Sequence, residues 1–381
     1  MVVNTPPLGI SLFKTWGENI SQKVVCDAAD AAEKLGLGKA GYEYIIIGDA
    51  WCKKTRDKNG ELVEDREKFP DGLKFVSDHL HSKGFKLGIV TSVGAATPNG
   101  YPGSYDREFV DAKTFGRLGV DYISHVFCHV PAKGGFFMPL RSMSMALKHS
   151  GRDIFYAVNF DYDGAQKHIY YAGYTWEGID LKEFEQDHYA IEKWIRSTGV
   201  HSYCTKELEK PFDPQLGDNI QGYTGTGCWH SLGDIVHCCC CDDALNALKT
   251  KMITCAMKIS PIIIDTDVTK LCDKAVEVMT NSAVISMLKD EESRSSAKQG
   301  DGNTFVLTRL LCDRKYAIAF VNDSDEAASV PFYGYDFGLT YNCGLTCKAC
   351  EVMGDEKLEF ADYVSVDVPA RSARLFEMVM E

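Results

Sequence analysis

Short apolar runs alternate with longer amphipathic segments from residue 8 to about residue 285, the pattern of repeated βα units. Strand-like runs fall at Leu8 to Phe13, Tyr44 to Ile47, Lys86 to Thr91, Asp121 to Val126, Ile154 to Val158, Ile169 to Tyr174, near Cys228 to Trp229, and at Pro261 to Asp265. Between them lie helical periods. In Ser21 to Leu35, for example, Val24, Val25, Ala28, Ala32 and Leu35 share one face, Ser21 is placed as the N-cap, and Gly36 marks the end. No G-x-G-x-x-G turn follows the first strand, so the pattern predicts an α/β (β/α)8 TIM barrel over residues 1–290 and not a doubly wound sheet. From residue 298 the rhythm changes to two-residue alternation at Thr304 to Leu307, Tyr316 to Val321, Ser329 to Phe332, Tyr363 to Val368 and Ala373 to Met378. That predicts a C-terminal antiparallel β-sandwich domain over 298–381, joined by the polar stretch Lys289 to Asn303.

Composition narrows the function classes. A net charge of -13 disfavours nucleic acid, whose phosphates need clustered Lys and Arg. No apolar run reaches the roughly 18 to 20 residues of a membrane span. The N-terminal stretch Met1 to Pro7 lacks a basic segment followed by an apolar run, and 15 cysteines, an odd number, read most simply as reduced thiols. A cytoplasmic protein is expected on these grounds. The thiol clusters Cys238 to Cys241 and Cys343, Cys347, Cys350 lack the paired spacing of a zinc site, and Cys347 to Cys350 lacks the βαβ setting of a redox pair. No metal and no cofactor are expected.

Several runs carry a resemblance. Pro6-Pro7-Leu8-Gly9, Gly41 to Trp51, Lys68 to Gly72, His81 to Ile89, Gly100 to Tyr105, Asp111 to Phe115 and Gly119 to Tyr122 follow one another in register, and Ser260 to Ile264 and Asn281 to Ile285 continue the series. In this order they resemble the α-galactosidase and α-N-acetylgalactosaminidase family, glycoside hydrolase family 27. The resemblance implies the same barrel and a retaining glycosidase with two carboxyl groups.

At the place where that family carries its nucleophilic Asp, this sequence has Val126, with Ser124 and Phe127 at the neighbouring sugar-contacting positions. The acid/base carboxyl falls in the region of Glu177 and Asp180. Other pocket positions read Ile10, Gly48, Asn159 and Gly233, while Asp49, Trp51 and Trp229 remain. The family's disulfide positions read Glu18, Ala50, Pro98 and Val158. A side chain without a carboxyl group can neither attack an anomeric carbon nor protonate a leaving oxygen. The sequence therefore predicts a catalytically inactive relative, not an enzyme, serving as a scaffold with protein partners in an assembly of cytoskeletal or axonemal type. No nucleic acid, membrane or small carbohydrate ligand is expected.

Two alternatives stay open. One is a lectin-like or small-molecule-binding protein with an open cavity lined by Asp49, Trp51 and Trp229. The other is a glycoside hydrolase with relocated carboxylates, drawn from Asp49, Asp161, Asp163, Glu177, Asp180 and Asp234. His125 and His129 beside Val126 are read as packing residues.

Overall fold

The computed structural model describes residues 5–130, 137–159, 202–205 and 228–381, apart from 293, 295, 301 and 342. The chain divides into two compact units.

The first unit is built on a parallel sheet. In chain order it holds β1 (Leu8–Ser11), α1 (Phe13–Trp16), α2 (Gln22–Lys34), α3 (Leu37–Ala40), β2 (Tyr44–Ile46), α4 (Leu73–Ser82), β3 (Lys86–Ser92), α5 (Glu108–Leu118), β4 (Val120–Val126), α6 (Phe137–Lys148), β5 (Phe155–Asn159), β6 (Ser202–Thr205), β7 (Cys228–Ser231), β8 (Ile235–Val236) and β9 (Ile262–Asp265). Strand order is β7-β6-β5-β4-β3-β2-β1-β9-β8, a curled TIM-like sheet. Strands β1, β2 and β9 are buried at every position, because their two faces meet the barrel interior and the helices. Tyr44, Tyr122, Phe155 and Trp229 pack ring against ring inside it.

Helix α2 starts as expected, with the Ser21 hydroxyl accepting from the Val24 N–H, and it buries Val25, Ala28, Ala29 and Ala32. Gly36 then turns the chain at a φ of 75°. The strand expected at Ile169 to Tyr174 lies outside the described residues. Two strands that the apolar pattern did not mark, β6 and β8, are present.

In the second unit, α7 (Asp242–Lys258), α8 (Asp273–Met279) and α9 (Ser282–Leu288) accompany an antiparallel domain. Its strands are β10 (Ala297–Gln299), β11 (Thr304–Leu310), β12 (Tyr316–Asn322), β13 (Ala328–Tyr333), β14 (Cys347–Glu351), β15 (Lys357–Phe360), β16 (Tyr363–Val368) and β17 (Ser372–Met380). Six form one sheet, ordered β10-β11-β12-β17-β14-β15, and β13 pairs with β16 in a second. Between the sheets sit Val306, Ile318, Phe320, Val330, Phe332, Cys347, Phe376 and Met378. Arg309, almost wholly buried, donates to the Ala256 and Met287 carbonyls, both at 2.6 Å, satisfying acceptors at the ends of α7 and α9. Burial pushes its guanidinium down to about 10. Part of the expected polar connection, residues 297–299, is thus a strand, paired edge-on with β11.

Candidate active site

Barrel chemistry sits where parallel strands end. Asp265, which closes β9, is already engaged: it accepts from the Ser11 and Thr15 hydroxyls at 2.6 Å each and from the Lys14 and Thr15 N–H groups at 2.8 Å each. Four bonds fill a carboxylate's acceptor capacity, so this group anchors α1 and does not serve a substrate.

Beyond β2, Gly48 holds a φ of 80°, and a Cβ there would lie 2.7 Å from the Phe13 ring. Where the resemblance has a carboxylate, this chain has backbone and an aromatic ring. Asp49 follows, buried, with its carboxylate accepting from the Asn99 side chain at 3.0 Å and the Asn99 N–H at 3.4 Å. These bonds tie the loop after β2 to the loop after β3.

At β4, Val126 pairs in register with Ser92 and Asn159 and is 8% exposed. The Ser92 hydroxyl lies 2.8 Å from the Cys128 carbonyl and 3.2 Å from that of Val126, which pins the backbone as it leaves the strand. Ser124, half-buried, pairs with Val90 and Ala157, and Phe127 is half-buried just beyond the strand. Gly233, at a φ of 86°, donates its N–H to the Ser231 hydroxyl at 3.2 Å. Ile10 is fully buried opposite Ile45.

The cavity expected from Asp49, Trp51 and Trp229 is not formed by those residues. All three are buried; Trp51 meets Phe115 edge-on at 6.5 Å, and Trp229 stacks on Phe155 at 6.2 Å. Large rings buried on apolar partners offer no face to a ligand. The lectin-like alternative loses its lining.

His125 is wholly buried, its Nδ1 2.8 Å from the Tyr156 hydroxyl, and desolvation pushes its pKa down to about 3. It stays neutral at any working pH. His129 is held through Nδ1 at 3.2 Å from the Ala96 carbonyl. Asp161, Asp163, Glu177 and Asp180 lie outside the described residues; Asp234 is half-buried between β7 and β8.

Two polar clusters that the sequence reading did not join tie the loops after β1, β2 and β3 together. Arg56 grips the fully buried Asp111 with two bonds of 2.6 and 2.7 Å and also donates to the Gly60 and Gly103 carbonyls. Burial raises the Asp111 carboxyl against the pull of Arg56. Nearby, Tyr101 donates to Glu18 at 3.1 Å while Lys68 reaches the Tyr101 oxygen at 3.2 Å. Hydrogen bonds from Lys54 and Tyr101 lower the Glu18 pKa. These partners are 55 and 83 residues apart in the chain, where no local pattern betrays them.

The thiols need one correction. Cys240 and Cys272 form a disulfide, their Cα atoms 6.4 Å apart, within the usual span for a bridge. Cys238, Cys239 and Cys241 remain exposed thiols beside it. Cys347 points into the β-domain core, whereas Cys350 on the same strand is exposed. Three positions apart on a strand, they face opposite ways and do not form a pair.

A profile for the family described as alpha galactosidase A matches residues 14–290. The chain belongs to glycoside hydrolase family 27, the α-galactosidases. Alpha-galactosidase A of Cellvibrio japonicus is 27% identical to it over 354 residues, spanning 89% of this chain and 80% of its own. The α-galactosidase of Saccharomyces mikatae is 30% identical over 357 residues, spanning 84% and 72%. The crystal structure of α-galactosidase I from Mortierella vinacea superposes with a TM-score of 0.79 at 22% identity, over 98% of this chain and 96% of its own, a likeness of fold.

These comparisons overturn two expectations: that this family 27 chain is an inactive scaffold, and that it is not an enzyme. Its relatives over most of the length are α-galactosidases. The physical flaw lay in letting one position decide. Val126 removes a carboxylate from β4, but a barrel presents side chains from every strand end and loop at the same face, and the segment after β5 carries carboxylates of its own.

Proposed function

We propose that this family 27 chain is a glycoside hydrolase that removes terminal α-galactosyl groups, using carboxyl groups other than one at β4. The observation that carries the reading is the extent of the family match, from 14 to 290, together with α-galactosidase relatives spanning both units. The acid and base come from Asp161, Asp163, Glu177, Asp180 and Asp234. Val126 cannot form a glycosyl ester, and we assign two of the remaining carboxyl groups to a single displacement. One carboxylate takes a proton from water as its oxygen bonds to the anomeric carbon, and one carboxylic acid gives a proton to the glycosidic oxygen as that bond breaks. The sugar leaves with inverted configuration.

The test is hydrolysis of an aryl α-galactoside by the purified chain, followed by proton NMR of the first anomer released. Turnover giving β-galactose, lowered about 100-fold or more in a Glu177→Gln, Asp180→Asn variant, is expected. Turnover no greater than that of buffer alone sinks the hydrolase reading, and equal turnover by wild type and this variant moves the acid and base to Asp161, Asp163 and Asp234. Release of α-galactose first sinks the single displacement.

A further inference from the structure

The β-domain carries an aromatic surface that neither its core nor the barrel chemistry uses. On the short sheet of β13 and β16, alternate residues face opposite ways: Val330, Phe332, Val366 and Val368 enter the core, while Ser329, Pro331, Tyr333, Tyr363, Ser365 and Asp367 face outward. Tyr333 and Tyr363 are register partners with ring centroids 5.1 Å apart, and the Tyr335 ring lies 5.4 Å from that of Tyr333. The three rings are 39%, 52% and 68% exposed. Further along the same face the Ser329 and Ser365 hydroxyls meet at 2.7 Å, and Asp367 pairs in register with Ser329.

Three adjoining tyrosines, each at least 39% exposed, make one contiguous aromatic patch in place of singly scattered rings. The rings of Tyr335 and Tyr363 are each tilted against that of Tyr333, by 33° and 46°, so the three adjoin as a faceted aromatic shelf. No lysine or arginine lies among the outward positions of these two strands, so the shelf does not suit an anion. An uncharged ligand with one CH-rich face and a hydroxyl-bearing edge fits both parts. The CH face of one sugar lies on the rings with its hydroxyls at the phenol oxygens, and further sugars along a polymer meet the serine pair and Asp367 toward the other end of the two strands. A pyranose ring has that chemistry.

We propose that Tyr333, Tyr335 and Tyr363 form a surface binding site for an uncharged polysaccharide, distinct from the barrel site and acting by stacking of pyranose rings. The site holds the chain on a polymeric carbohydrate and needs no catalysis.

The experiment is native electrophoresis of the full chain through gels with and without soluble galactomannan, using bovine serum albumin as the non-binding reference. Wild type is expected to be retarded. Tyr335→Ala and Tyr363→Ala should each weaken retention about two- to tenfold, and the triple alanine variant should migrate with the reference. Tyr335→Trp, which keeps a stacking face, should bind at least as well as wild type. Thermal unfolding of each variant is followed in parallel, and Tyr335, the most exposed ring, supplies a variant with an unchanged Tm. Equal migration of wild type with and without polymer overturns the proposal, as does undiminished retention in a folded triple variant. Cleavage of an aryl α-galactoside is measured on the same samples. Retention without cleavage removes the hydrolase reading and leaves the binding site standing, and cleavage without retention does the reverse.

Discussion

The Phe13 ring occupies the space in which a Gly48 side chain would begin, 2.7 Å from the Cβ position, while Gly48 itself holds a φ of 80°. Two separate penalties therefore meet any substitution there. A left-handed backbone costs a non-glycine residue about 1 to 2 kcal/mol, and overlap with a packed ring adds about 1 to 3 kcal/mol. Gly48→Ala should lower stability by about 2 to 5 kcal/mol in urea denaturation. Adding Phe13→Ala removes the overlap and leaves the backbone cost, so the double variant should lose less than the sum of the singles. Strict additivity would show that the ring is not what excludes a side chain.

Arg56 offers a second test. Its partner Asp111 is wholly buried, and the same guanidinium also donates to the Gly60 and Gly103 carbonyls. Arg56→Ala leaves a buried carboxylate without its cation, a change that costs about 3 to 5 kcal/mol. Removing both partners, Arg56→Ala with Asp111→Ala, should be less harmful than Arg56→Ala alone. If the double variant is worse by the full effect of a second lesion, Asp111 is not the group that Arg56 neutralises.

Acid should weaken the fold through His125. Its folded pKa is held near 3, below the value of about 6.5 for an exposed imidazole, so between those limits the unfolded chain binds a proton that the folded chain refuses. Stability contributed by the neutral ring is complete above about pH 6.5 and is lost as the pH falls toward 3. The Tm of wild type should drop between pH 7 and pH 5 more steeply than that of His125→Gln, which cannot take up the proton. Parallel curves would assign the acid sensitivity elsewhere.

Cys272 is the N-cap residue of α8, and its bridge to Cys240 closes a separation of 32 residues. A loop of that size constrains the unfolded chain by up to about 4 kcal/mol. Cys272→Ser should lower the Tm, and dithiothreitol should lower that of wild type by a similar amount while leaving the variant unchanged. A wild type indifferent to reductant would show that the bridge adds nothing to stability.

The strands that could be read from the sequence were those whose burial imposed a continuous or alternating apolar pattern, such as β4 and β12. Strand β6 escaped because Ser202 to Thr205 offers only one large apolar side chain, Tyr203; its register with β5 and β7 is supplied by neighbours remote in sequence. Strand β14 was hidden by its chemistry: Cys347 and Cys350 drew a thiol reading, although Cys347 and Ala349 alternate inward as in any half-buried strand. At the site, the family register located Val126 correctly on the end of β4, but it could not show that Phe13, 35 positions earlier, fills the space beside Gly48. Nor did it foresee the Arg56 to Asp111 clamp. Such contacts are set by tertiary packing of loops, which leaves no periodic trace in a sequence.

Strand β17 hydrogen-bonds to β12 on one side and β14 on the other, at the centre of the six-stranded sheet, yet it follows every strand it joins. A ribosome therefore delivers β10 to β15 before the piece that unites them. Until residues 372–380 emerge, two sets of strands wait with open edges, and open edges are what aggregation templates on. The nascent chain thus needs shelter until β17 has emerged, and a chain cut short before β17 has a sheet missing its middle.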